Sequence, residues 1–194
     1  MDFFKKLFNI PAKEDENIHK QAVKLALDDL FVHKFVEKGG KFLYCANKEE
    51  VVENFRKVIS ENNWNEICLL DTKLAALCHQ RGTYVVDKFK EHTPILTTCE
   101  HLIADNGDIL FSSNQLKSIR LQEFPDNFIV FATTSQLVKD TGQGLTGIKI
   151  NNKGNLPTNI CSVKNYNINK SDDNFLNYGN NNSKNLYLLL LEDL

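Results

Sequence analysis

From Ile18 to Val36 the apolar residues fall at positions 18, 22, 23, 25, 26, 27, 30, 31, 32, 35 and 36, a wide stripe at helical spacing that stops at Gly39-Gly40. The pattern predicts a long helix with a glycine stop. Lys41 to Cys45 follows as a strand, and Asn47-Lys-Glu-Glu opens the next helix. There the Asn side chain can cap the first free amides, and the acids suit the positive end of the helix dipole. Its apolar face runs through Val51, Val52, Phe55, Val58 and Ile59. Glu66 to Leu70 reads as a strand, Asp71 or Thr72 caps a short helix through Leu74, Ala75 and Leu77, and Thr83 to Val86 is extended. Strands alternating with helices predict a parallel sheet covered by helices.

The second half is patterned differently. Ile95 to Thr98, Ile109 to Ser112 and Phe128 to Thr133 read as strands, with Asp105-Asn-Gly-Asp108 as a tight turn between apolar runs. Gln136 to Lys139 suggests a short helix, Leu145 to Ile150 a strand, and Leu186 to Leu191 a closing strand. Residues 165 to 185 carry nine asparagines in 21 positions and little apolar material, which predicts an excursion from the packed domain. The expected organisation is a lead-in over residues 1–17 and a single α/β domain over 18–194.

Composition narrows the function. Of 194 residues, 42% are apolar and 25% charged, enough for a self-sufficient core. The 23 basic and 25 acidic residues leave a net charge of -2, so no cationic field collects nucleic acid. The longest apolar run, Leu186 to Leu191, is six residues against the roughly 18 of a spanning helix. Met1-Asp-Phe-Phe-Lys-Lys-Leu-Phe lacks the apolar stretch of a secretory signal. Both point to a cytoplasmic protein without membrane insertion. The cysteines at 45, 68, 78, 99 and 161 form no Cys-x-x-Cys pair, which argues against a zinc or iron–sulfur centre, and the odd count argues against a disulfide framework. No metal or other cofactor is implied.

Several groups could carry chemistry. Gly142-Gln-Gly144-Leu-Thr-Gly147 matches the spacing of a dinucleotide fingerprint. That motif works after a strand, opening a helix, with an acid about 20 residues on. Here a helical stretch is expected before it, a strand after it, and Asn stands at 167, so a flexible glycine turn is the expectation. Cys99-Glu100-His101 follows the strand ending at Thr98, where α/β sheets bind ligands. Glu100 could act as nucleophile or base there, while Cys99 reads as a semi-buried thiol. Arg120, in a mainly uncharged stretch, could clamp an anion. Thr133-Thr134-Ser135 ends an apolar strand, and its hydroxyls and amides could hold a phosphate or carboxylate or simply cap a helix.

The segment Thr97-Thr-Cys-Glu-His-Leu-Ile-Ala-Asp-Asn-Gly-Asp-Ile-Leu110, followed by Arg120, Pro125 and Phe128-Ile-Val-Phe, resembles the lactate-utilisation (LUD) domain family. Within it, Ile103 to Leu110 matches the family's alanine–acid–turn–strand hallmark, with Asn106 where threonine is usual. The resemblance implies a fold similar to the NagB/RpiA/CoA-transferase group, a three-layer α/β/α sandwich on a mostly parallel sheet. It also implies a role near oxidation of L-lactate to pyruvate, beside companion subunits that carry iron–sulfur clusters. A chain without paired cysteines suits the cluster-free member. The ligand, a small anionic metabolite, is expected around Glu100, Asp105, Asn106, Gly107, Arg120, Thr133 and Thr134. The chain departs from the family at its Gly-x-Ser-x-Thr-Ala-Asp-Ile-Glu segment, where Ile160-Cys-Ser-Val-Lys-Asn-Tyr-Asn-Ile-Asn169 stands and only Ser162 matches. That departure favours a docking subunit for an iron–sulfur oxidoreductase. An acyl- or CoA-transferase-like enzyme with Glu100 as nucleophile is the alternative.

Overall fold

The computed structural model of the chain describes residues 26–78, 83–167 and 183–193. The expected lead-in, the first part of the expected long helix and most of the Asn-rich stretch lie outside the described residues. Strands β1 (Lys41–Cys45), β2 (Glu66–Leu69), β3 (Tyr84–Val86), β4 (Ile95–Thr98), β7 (Asn127–Thr133) and β10 (Asn185–Leu191) form one sheet in the order β1-β10-β7-β4-β2-β3. Every neighbouring pair in it is parallel. The closing strand β10 lies between β1 and β7, with Leu191 opposite Thr133.

The central strands of the sheet are buried on both faces, as parallel strands require, while edge strand β3 is largely exposed. On one face, helices α2 (Lys48–Glu61) and α3 (Ala75–Cys78) pack Val51, Phe55, Val58 and Leu77 onto Ile67, Leu96, Ile129 and Leu189. On the other, α1 (Leu27–Glu37) brings Phe31 and Phe35 to a core with Ile95, Phe128, Val130 and Leu188. The unbroken Leu run of β10 follows from this double burial, since alternate leucines supply alternate faces. Positive φ at Gly39 (91°) turns the chain out of α1, as its glycine stop predicts.

The second core contains a small sheet as well as α1. Strands β5 (His101–Ile103), β6 (Asp108–Phe111), β8 (Leu137–Val138) and β9 (Cys161–Val163) run in the order β8-β5-β6-β9. Leu102, Ile109 and Phe111 project from it toward the large sheet. Helix α4 (Ser113–Leu116) follows β6, and α5 (Thr141–Asn151) lies outermost, with Ile148 on Ile103 and Leu110. The three-layer α/β/α sandwich is therefore present, with a small sheet sharing one flanking layer.

Two local expectations are overturned. Leu145 to Ile150, expected as a strand, lies in α5, and the glycines before it sit inside the same helix. Asp140 caps it by accepting from the Gln143 amide at 2.9 Å. Gly144 and Gly147 weaken intrinsic helicity by about 1 kcal/mol each, but they let the helix lie flat on the small sheet. A Cβ at Gly147 would stand 2.6 Å from His101 Nε2, and one at Gly144 3.2 Å from Ile103 Cδ1 and Leu110 Cδ2. The region expected as a helix at Gln136 to Lys139 is instead a 3₁₀ turn (Thr134–Gln136) running into β8.

Candidate functional site

The carboxyl ends of β1, β10, β7, β4 and β2 form one edge of the large sheet. In open parallel sheets ligands bind at this edge, in the crevice where neighbouring strands lead to opposite faces. Here β2 leads to α3 and β4 leads to the small sheet. Between them Thr98 Oγ1 donates to Asp71 Oδ2 at 2.9 Å. The other oxygen of Asp71 accepts from the Lys73 amide at 3.0 Å, which fixes the 3₁₀ turn Thr72–Leu74 against the edge.

Two strands along, the edge holds a carboxylate. Asp193, just past β10, receives Thr134 Oγ1 at 2.8 Å and the Ser135 amide at 2.9 Å on one oxygen. Ser135 Oγ donates to the other oxygen at 2.7 Å. Thr133 Oγ1 and Ser135 Oγ share a further hydrogen bond at 2.9 Å, and the Asp193 amide returns one to Thr134 Oγ1 at 3.1 Å. Burial alone would raise the Asp193 pKa; the Ser135 and Thr134 donors outweigh it and bring the group from 3.8 down to about 2. The 3₁₀ turn is itself braced by Gln136. Its side chain accepts from the Thr133 amide at 2.9 Å and donates to the carbonyls of Cys99 and Glu100 at 2.6 and 3.2 Å.

Beside this cradle, on the α2 and α3 face, a cavity of about 260 Å³ opens at the same edge. Phe131 and Leu191 form its floor, Val51 and Val52 one wall, Ala76 and Leu77 the other, and Lys48 and Lys73 its rim. Phe131 and Thr133 are alternate residues of β7, so both point to this face about 7 Å apart.

The expected site residues fall into separate places. Thr133 and Thr134 belong to the cradle. Glu100 adjoins it through its backbone, but its side chain points to the start of α4. There Oε1 accepts from Ser112 Oγ, from Asn114 Nδ2 at 2.8 Å and from Gln115 Nε2 at 3.2 Å. Cys99 is buried, and burial with the nearby Glu100 charge pushes its thiol well up, so it carries no thiolate. His101 is covered by α5, with Nδ1 3.2 Å from the Gln136 carbonyl oxygen.

Asp105, Asn106 and Gly107 form the turn between β5 and β6, at the opposite end of the small sheet from Glu100. Gly107, at φ 68°, lies against the backbone of α1, where a Cβ would come 2.5 Å from Phe35 N. Its carbonyl accepts from Tyr166 Oη at 2.7 Å. The buried Asp108 beside it pairs with Lys38 at 2.8 Å. Arg120 precedes the amino end of β7, 81% exposed, with Nε 4.0 Å from Glu123. It joins neither group.

Asp193, Ser135, Gln136, Lys48 and Lys73 are the parts of the edge that sequence reasoning left out or left in the background. Position after a strand could have flagged Asp193, since β10 was legible and Asp193 lies two residues past its end. Among the described residues no helix is long and apolar enough to cross a membrane, and no three His, Cys, Asp or Glu side chains gather as metal ligands.

No family model matches the chain, and no curated protein matches it. Among solved structures, a DUF162 family protein from Deinococcus radiodurans is similar in fold. It has a TM-score of 0.59 and 13% sequence identity over 87% of this chain and 99% of that one.

Proposed function

We propose that this chain is a cytoplasmic LUD-type domain that binds a small anionic metabolite at the carboxyl edge of its large sheet and supports oxidation of L-lactate to pyruvate. Two likenesses support the family reading: the sequence resemblance, whose motif residues lie between 97 and 131, and the fold shared with a DUF162 protein, a name also applied to LUD domains. The observation that carries the binding function is the cradle of Thr134 Oγ1, Ser135 N and Ser135 Oγ, which already holds a carboxylate on both oxygens. The planar carboxylate group of an α-hydroxy or α-keto acid presents the same two oxygens. In this reading the chain is a cluster-free accessory subunit, and an iron–sulfur oxidoreductase is its partner. A native pull-down of tagged protein from lactate-grown cells tests that role. Recovery of a brown, cluster-bearing partner supports it, and recovery of the chain alone removes the obligate complex.

A second reading, acyl or CoA transfer, rests on Glu100. Three donors converge on its Oε1 and hold the carboxylate at a strand end, with none of these bonds made to Oε2. Hydroxylamine trapping of an acyl-glutamate after incubation with acyl-CoA tests it; no adduct and no exchange of labelled acyl groups would remove it.

A further inference from the structure

The cavity between α2 and α3 contributes nothing to the carboxylate cradle, yet it opens at the same edge. Its walls are apolar: Val51, Leu77 and Leu191 are each less than a tenth exposed, and Val52, Ala76 and Phe131 complete them. At about 260 Å³ it lies just below the roughly 300 Å³ lower bound of drug-sized sites. That volume corresponds to about nine waters at ~30 Å³ each. Water against such walls has few polar partners and is readily displaced by a short apolar chain.

The rim is cationic in an unusual position. Lys48 is the first residue of α2, and Lys73 lies in the 3₁₀ turn before α3. Lys48 stands where the helix start is already partly positive, a place that favours acids over lysines. Two of the neighbouring acids are committed elsewhere. Glu50 accepts from the Ala46 amide at 2.8 Å, and Asp71 from Lys73 N and Thr98 Oγ1. Among the described residues neither lysine ammonium has an ion-pair partner. Two unpaired cations over a small apolar hole complement one class of ligand.

We propose that this cavity is a second ligand subsite, separate from the cradle, that takes a short-chain aliphatic carboxylate with its chain between α2 and α3 and its head between Lys48 and Lys73. The class differs from the hydroxy and keto acids of the cradle, which have too little apolar surface to fill the hole.

Hexanoate, 1-hexanol and pyruvate, titrated into the full chain and followed by amide chemical shifts, separate the two sites. Hexanoate is expected to shift Val51, Val52 and Leu77 and to bind at least tenfold more tightly than 1-hexanol. Lys48→Ala combined with Lys73→Ala should remove that tenfold advantage while leaving 1-hexanol binding unchanged. Ala76→Phe, which fills the hole from a solvent-facing position, should abolish hexanoate binding without altering pyruvate shifts at Ser135 or the thermal midpoint. Hexanoate that shifts only Ser135, or binds Ala76→Phe as well as the parent, would overturn the subsite while leaving the cradle in place. Hexanoate at the cavity with no pyruvate response at Ser135 would uphold the subsite and remove the cradle reading.

Discussion

Two loops of this molecule carry the same promise in sequence and are used in opposite ways. Thr133-Thr134-Ser135 and Asp105-Asn106-Gly107 are both short, polar, and set directly after an apolar strand. The first ends a central strand of the parallel sheet, and its hydroxyls and amide face the carboxylate of Asp193. The second ends an edge hairpin pressed onto α1, and its glycine carbonyl and neighbouring acid are consumed by Tyr166 and Lys38. The difference lies in topology rather than composition. A loop at the carboxyl edge of a parallel sheet turns its donors to an exposed side chain, whereas a hairpin turn in a packed layer spends its acceptors on contacts within the fold.

Substitutions in the two loops should therefore separate stability from binding. Gly107→Val has the largest effect expected. Its Cβ would stand 2.5 Å from Phe35 N and 2.6 Å from Lys34 C at a φ of 68°. Overpacking and a left-handed backbone together predict a loss of about 2–4 kcal/mol in urea unfolding. A loss below about 1 kcal/mol would mean the turn is not locked to the helix. Tyr166→Phe removes a buried donor from the Gly107 carbonyl and should cost about 1–2 kcal/mol by the same measurement. Thr134→Ala combined with Ser135→Ala strips exposed hydrogen bonds, and global stability should fall by less than about 1 kcal/mol. Amide exchange at Glu192 and Asp193 should nonetheless accelerate; unchanged exchange would show that the cradle does not hold the chain end.

The smallest effect is set by pH. The folded-state pKa of Asp193 is depressed to about 2 from 3.8, so its stabilising bonds are fully present above about 4 and fade as pH falls toward 2. Amide shifts of Thr134 and Ser135 should titrate across that window with little loss of global structure. A titration centred near 4 would show the donors contributing nothing.

Long, regular elements were legible in the sequence. β1 and β4 lie where the alternation and apolar runs put them, and the leucine run of β10 marks a strand buried on both faces. The shorter pieces were not. β5 and β9 have three residues each and β8 two, too few to show a period. α5 was missed because its glycines were placed by contact with His101, Ile103 and Leu110, which lie about 40 residues away in sequence, rather than by local preference. The site divides in the same way. Thr133 and Thr134 could be picked from their place at a strand end, but their partner Asp193 arrives from 58 residues or more away, because β10 inserts beside β7. Lys48 and Lys73 look like ordinary surface cations until α2 and α3 bring them to one opening.

The cradle proposed to bind carboxylates is filled here by the chain's own Asp193. Pyruvate titration followed by amide shifts, in the parent chain and in Asp193→Ala, tests that proposal directly. A tethered carboxylate competes for the same donors, so removing it should tighten pyruvate binding by about two- to fivefold, with the largest shifts at Thr134 and Ser135. Equal affinity in the two proteins, or shifts that avoid Thr134 and Ser135, would contradict the account.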